Sequence, residues 1–173
     1  LKGAMDMLLI GDPANPVNDA GPVIDEDARH ILQAHFDTLK ARGQILHQTQ
    51  MPRDLNGDFF APALAELTSP DELTREVFGP ILHVVRYDSQ HFAPTTRALA
   101  ERGYGLTLGV HSRIEAFAED IAEAVPAGNV YINRGITGAV VGVQPFGGEG
   151  LSGTGPKAGG PFSLIRFASE RAV

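Results

Sequence analysis

Ile81-Leu82-His83-Val84-Val85, Leu106-Thr107-Leu108-Gly109-Val110-His111 and Asn129-Val130-Tyr131-Ile132-Asn133 are three short apolar runs spaced regularly between Gly79 and Asn133. The first is uninterrupted, the pattern of a strand covered on both faces. Between the first and second, Pro94 to Arg102 reads as a short helix ended by Gly103. Between the second and third, Ile114, Phe117, Ala118, Ile121 and Val125 recur at helical spacing. Ser112 with Glu115 makes a capping box before that helix, and Pro126 and Gly128 close it. Strand, helix, strand, helix, strand at this spacing predicts two right-handed crossovers and a parallel sheet. The fold class is α/β: an open, mostly parallel sheet flanked by helices, with a glycine-rich C-terminal loop.

Upstream of these runs the signals are shorter. Leu1, Met5, Leu8 and Leu9 share a helical register that Gly11 and Pro13 stop. A second helix is expected from Asp25, a good N-cap, to Gly43, with Ala28, Leu32, His35 and Leu39 as its buried stripe. His35 is accordingly read as a half-buried core residue rather than a ligand. Gln44 to Gln50 and Phe59 to Glu66 read as strands on either side of the turn-forming Asp54-Leu55-Asn56-Gly57-Asp58.

Composition limits what such a chain does. It has 173 residues, 43% apolar and 20% charged, about one domain's worth with enough apolar material for a core. Fourteen basic residues against 21 acidic ones give a net charge of −7, the opposite of a nucleic-acid-binding face. No run approaches the roughly 18 apolar residues of a membrane span. The six histidines, at 30, 35, 47, 83, 91 and 111, show no metal-ligand spacing with a third partner. Cysteine is absent, which removes disulfides and any thiolate nucleophile from these residues. The chain opens inside a helical register, as expected of a piece of a longer polypeptide.

Eleven of the 20 glycines lie between Gly128 and Gly160. A long aperiodic segment that follows a parallel strand is commonly functional, because ligands bind at strand C-terminal ends in open α/β sheets. Gly148-Glu149-Gly150-Leu151-Ser152-Gly153 matches the letters of a dinucleotide fingerprint. It is rejected, because Pro145-Phe146-Gly147 precedes it in place of a strand and Thr154-Gly155-Pro156 follows in place of a helix. Lys157 is read as a solvated loop charge, and Phe162 to Ala168 as a final strand.

Three places could carry chemistry. In Glu76-Val77-Phe78-Gly79-Pro80, the glycine and proline set a turn. The carboxylate there can accept hydrogen bonds from two neighbouring sugar hydroxyls, beside an aromatic ring that shapes an apolar pocket. Thr137-Gly138-Ala139 offers backbone N–H groups that can cradle an anion such as a substrate carboxylate. Phe146 can lie along an aliphatic chain. For each, the plainer reading is a tight turn or a packing residue.

The order of these motifs is specific. Glu76 to Pro80, Gly103-Tyr104-Gly105-Leu106, Gly128 to Asn133, and Pro145-Phe146-Gly147-Gly148 with Ser152-Gly153 resemble the C-terminal half of aldehyde dehydrogenases. Within that superfamily, Thr137 to Gly148 and Thr154 to Pro161 resemble L-glutamate γ-semialdehyde (Δ1-pyrroline-5-carboxylate) dehydrogenase, and in particular the dehydrogenase module of bacterial proline utilization A. The resemblance covers essentially the whole chain. It implies NAD-dependent oxidation of glutamate γ-semialdehyde to glutamate in the cytoplasm, as a step of proline catabolism. A cysteine attacks the aldehyde, hydride leaves for NAD, and water hydrolyses the thioester.

Carried over, the resemblance places Glu76 on the nicotinamide ribose and Phe78 in the nicotinamide pocket. Gly138 and Ala139 fall in the loop that anchors the substrate's α-carboxylate, with Phe146 on its methylene chain. Position 139 is serine in some members; alanine loses a hydroxyl but keeps the N–H. The family's cysteine, its general-base glutamate and its cofactor-binding domain are expected upstream. Residues 1–173 are then the C-terminal part of a catalytic domain, expected to oxidise no aldehyde alone. The resemblance further implies a homo-oligomeric parent, with a proline dehydrogenase fused or associated. Two other readings stay open: a non-catalytic module of the same fold that serves assembly, and an aldehyde dehydrogenase for another substrate.

Overall fold

The computed structural model describes residues 1–137 and 143–172, which divide into two compact units, 1–86 and 87–173. In the first unit, α1 spans Lys2–Met5, α2 Glu26–Ala41, β1 Ile45–Gln48, β2 Ala63–Leu67 and β3 Ile81–Val85. The second holds α3 Phe92–Glu101, β4 Tyr104–Gly105, β5 Thr107–Val110, α4 Glu115–Ala124, β6 Asn129–Ile132 and β7 Glu149–Gly150.

Helix α2 has both ends written into its sequence. The Asp25 carboxylate accepts from the Ala28 N–H at 2.8 Å, and Glu26 and Asp27 place negative charge on the first turn. At the far end Gly43 takes φ 70°, with Gly43 N–H on the Lys40 carbonyl and Gln44 N–H on that of Leu39, a Schellman ending. The face between carries Leu32, Phe36 and Leu39 into the core. The opening helix, by contrast, stops at Met5, well short of Gly11. One turn is marginal alone, and Asp19 takes the Leu9 N–H while Asp12 caps the Ala14 N–H in a local turn.

Strand β2 is central, antiparallel to β1 and parallel to β3, with Ala63 opposite Ile81 and Leu67 opposite Val85. In this register Ala63, Ala65, Leu67, Ile81 and Val85 share the face on which α2 lies. Leu82, on the other face, is 49% exposed, so within this chain β3 is not covered on both sides as its continuous apolar run predicted.

The expected single sheet is also different. Ile81–Val85 pairs with Ala63–Leu67, while Thr107–Val110 pairs in parallel with Asn129–Ile132 and Tyr104–Gly105 pairs antiparallel with Glu149–Gly150. Among the described residues the result is mixed helix and sheet, with parallel and antiparallel ladders in equal number, rather than one mostly parallel sheet. The connection 68–80 returns the chain for parallel pairing without an α-helix, so the parallel partner of β3 lies upstream of it in the chain.

Two further expectations change. Helix α4 starts at Glu115 without a side-chain cap, and Ser112 Oγ accepts from the Ile114 N–H instead of closing a capping box. The Ser112 backbone is held at the strand end, as described below. The segment expected as a last strand is a 3-10 helix over Ser163–Phe167, with Phe162, Leu164, Ile165 and Phe167 exposed. No helix among the described residues is long and apolar enough to cross a membrane.

His35 on α2 is half-buried, as expected, and its Nε2 lies 2.8 Å from Nε2 of His83 on β3. One ring must donate and the other accept, so the contact holds when neither ring takes a second proton. Burial lowers both pKa values from 6.5; nearby Arg75 and Arg42 lower that of His35 further, and His35 does so for His83. A depressed folded-state pKa means that the unfolded chain binds protons first as pH falls. The contribution is full above about pH 6.5 and lost as pH drops through the folded values. The melting temperature should therefore fall between about pH 7 and pH 5. The double substitution His35→Leu, His83→Leu should flatten that slope; an unchanged slope would remove the pair from the account.

Candidate functional site

The connection between β2 and β3 begins with a 3-10 turn at Pro70–Glu72. The Glu72 carboxylate fastens it, accepting from Gln44, from Thr68 Oγ1 and from the Thr68 N–H, and these bonds lower its pKa to about 2. The chain then runs to Gly79 with Val77 packed on the core, which turns Glu76 and Phe78 outward. Phe78 is 86% exposed, a large aromatic face left in water. The Glu76 carboxylate is exposed, and among the described residues nothing accepts or donates to it. Gly79 fixes the segment's height over α2. A Cβ there would lie 2.5 Å from both terminal methyls of Leu32, so helix and turn meet where only a hydrogen fits.

In the second unit, β5 and β6 end together. Asn133, directly after β6, takes φ 56°, a left-handed conformation that asparagine tolerates better than most residues. Its side-chain amide grips Ser112 twice: Oδ1 accepts from the Ser112 N–H at 2.9 Å and Nδ2 donates to the Ser112 carbonyl at 2.8 Å. The amide thus adds one more rung beyond the last backbone pair of the ladder.

Phe146 lies on the returning segment. It is half-buried and bridges Ala158 through two backbone hydrogen bonds of 3.0 and 2.9 Å. Asn129 at the start of β6 donates to the Pro145 carbonyl and accepts from the Gly147 N–H, which fixes the backbone on both sides of that ring. Ser152 Oγ accepts from the Gly105 N–H, joining two of the glycine motifs. Lys157, read from sequence as a solvated charge, is instead half-buried, its ammonium donating to the Gly128 carbonyl. Gly148 to Gly153 forms a short strand and a turn with no helix after it, in keeping with the rejected dinucleotide fingerprint.

Of the five residues singled out from sequence, Glu76 and Phe78 share one outward-facing segment of the first unit, and Phe146 belongs to the second. Gly138 and Ala139 lie outside the described residues. The sequence reading missed the grip of Asn133 on Ser112; an asparagine closing a strand just before a glycine-rich loop was the available signal.

The Aldehyde dehydrogenase family matches residues 1–173. The bifunctional protein PutA of Klebsiella aerogenes is 46% identical over 177 residues, covering 99% of this chain and 14% of that protein. The 1-pyrroline-5-carboxylate dehydrogenase of Geobacillus sp. (strain WCH70) is 36% identical over 168 residues, covering 96% of this chain and 32% of that protein. The crystal structure of proline utilization A from Bradyrhizobium japonicum matches with a TM-score of 0.91 at 52% identity, over 98% of this chain and 17% of that one. The chain therefore spans between 14% and 32% of the length of these curated relatives. Matched along its whole length, the chain belongs to the aldehyde dehydrogenase family.

Proposed function

We propose that the protein containing this chain oxidises L-glutamate γ-semialdehyde to L-glutamate in proline catabolism, with NAD as the hydride acceptor. Residues 1–173 form the C-terminal part of its catalytic domain in this reading. The observation that carries it is the match, over nearly the whole chain, to both bifunctional PutA proteins and 1-pyrroline-5-carboxylate dehydrogenases. The nucleophilic cysteine, the general base and the cofactor-binding domain belong to the rest of the parent. So does a proline dehydrogenase, fused or associated. The parent is a cytoplasmic homo-oligomer.

The residues present suit such a cofactor. When bound, NAD supplies the two-electron acceptor for the aldehyde hydrogen. Glu76 has both carboxylate oxygens free to accept from the two hydroxyls of the nicotinamide ribose. Phe78, on the same segment, gives the nicotinamide an apolar wall and loses its own contact with water in doing so. Backbone N–H groups at Gly138 and Ala139 hold the α-carboxylate of the substrate, and Phe146 covers its methylene chain. Holding the carboxylate end and the chain orients a short molecule for reaction at its far end.

Glu76→Gln in the parent enzyme tests the cofactor role. Hydrogen bonds to a charged acceptor are worth about 1.5–3 kcal/mol, so kcat/KM for NAD should fall by about 10- to 100-fold. Since Glu76 is exposed and unpaired among the described residues, the melting temperature should not move. Unchanged kinetics would remove Glu76 from the cofactor site.

A further inference from the structure

We infer that Glu72 is a positioning residue for the cofactor, its carboxylate latching the connection between β2 and β3 to the end of α2 so that Glu76 and Phe78 stand ready for NAD. The inference rests on the assignment of Glu76 and Phe78 in the proposed function. Residues 73–78 lie outside any helix or strand, so their course is set by what fastens the two ends. At the far end, Gly79 meets Leu32, and the Pro80 carbonyl accepts from the Ala63 N–H at 2.9 Å. At the near end the two oxygens of Glu72 serve different parts of the chain. Oε1 accepts from the Thr68 N–H at 2.7 Å and from Thr68 Oγ1 at 2.8 Å, directly after β2. Oε2 accepts from Gln44 Nε2 at 2.7 Å, with Arg42 Nη1 at 3.7 Å. Gln44 is itself held at both backbone groups: its N–H is on the Leu39 carbonyl, and its carbonyl accepts from the Glu66 N–H.

Leu73 and Val77 pack on the core and decide which side of the segment faces outward. Apolar contacts have no preferred direction, however, and tolerate a small slide along the chain. Hydrogen bonds to a charged acceptor are directional and stronger, so the latch fixes the register. Every partner of Glu72 is a donor, which calls for two acceptor oxygens and therefore for a carboxylate. The same bonds hold its pKa at about 2, so the latch stays ionised over the range in which enzymes are assayed. Glu76 stands four residues further on, with no side-chain hydrogen bond of its own among the described residues to correct a slip. Glu72 is not placed against cofactor or substrate. It acts by raising the fraction of molecules whose Glu76 and Phe78 are in position, and apparent affinity scales with that fraction.

The test uses the full-length parent enzyme with Glu72→Gln. This variant keeps the size of the side chain but has one acceptor oxygen, enough for Thr68 or Gln44 and not for both. KM for NAD should rise by about three- to tenfold, the range expected for one hydrogen bond, with kcat and the KM for glutamate semialdehyde unchanged. Gln44→Met is the second route if Glu72→Gln folds poorly. It removes the distant donor together with Gln44 Oε1, a buried atom with no partner among the described residues, and leaves the Thr68 side of the latch intact. It should raise KM for NAD to a similar extent. A lower melting temperature or kcat with the KM for NAD unmoved would make Glu72 merely structural and overturn the inference. Glu76→Gln separates the two ways to fail. If it lowers kcat/KM for NAD and neither latch variant does, the positioning role is wrong and the cofactor assignment stands. If none of the three affects NAD, the cofactor assignment itself is wrong.

Discussion

Gly128→Ala is expected to cost about 3 kcal/mol, the upper end for overpacking, because nothing near the new methyl can yield cheaply. A Cβ at Gly128 would run into the Gly147 carbonyl and lie 2.8 Å from its carbon and 2.9 Å from the Gly148 Cα. These are backbone atoms, tied on one side by Asn129 to Pro145 and Gly147 and on the other by Phe146 to Ala158. The methyl would have to push out the segment that carries Phe146. The chain contains no tryptophan, and its three tyrosines, Tyr87, Tyr104 and Tyr131, all lie in the second unit. Tyrosine fluorescence during urea unfolding therefore follows that unit and should show the midpoint falling by about 1–3 M. An unshifted midpoint would mean that the segment moves aside freely, contrary to the bonds that fix it.

Leu32→Ala should be at least as damaging in the first unit. Leu32 is fully buried, at 0% exposure, among Phe36, Leu39, Phe60, Ala63, Ala65 and Ile81. Truncating a leucine in such a place costs about 2–5 kcal/mol, rising with the cavity left behind. Total stabilities of about 5–15 kcal/mol make that a large share. The cavity would open beneath Gly79, so the turn bearing Glu76 and Phe78 loses its support as well. Far-ultraviolet circular dichroism, dominated in this unit by α2, should report a midpoint lower by about 1–3 M urea. A loss below about 1 kcal/mol would show that the surroundings collapse to fill the space.

How much of this was legible depended on where the deciding information sits. Helix α2 could be read to within two residues at either end, because Asp25, Gly43 and the Leu32, Leu39 stripe are local signals. The limits of β3 and β6 were equally plain, each being a short run that follows a glycine or proline and ends at a polar residue. Which strand neighbours which was not: an apolar strand carries no mark of its partner, and β2, the partner of β3, is as apolar as the other strands. Phe162 to Ala168 failed for the reason that short apolar runs often fail, since alternation over so few residues does not separate a strand from a tight helix. In the site, Glu76 and Phe78 stood out because Gly79-Pro80 forces a turn directly after them. The latch at Glu72 could not be read at all, because its partner, Gln44, lies 28 positions earlier. Lys157 was misread for the same reason, its acceptor being a carbonyl 29 positions back.

The meeting of Leu32 and Gly79 has a consequence for descent. The two positions share one volume, and the left-handed side of φ, at 156°, already disfavours a side chain at 79. Mutation at either is therefore not free to drift alone: as long as a leucine occupies 32, selection on folding holds 79 at glycine, whatever the cofactor requires. Constancy at position 79 among homologues would record the bulk of a helix 47 residues earlier in the chain, and is not by itself a mark of catalysis.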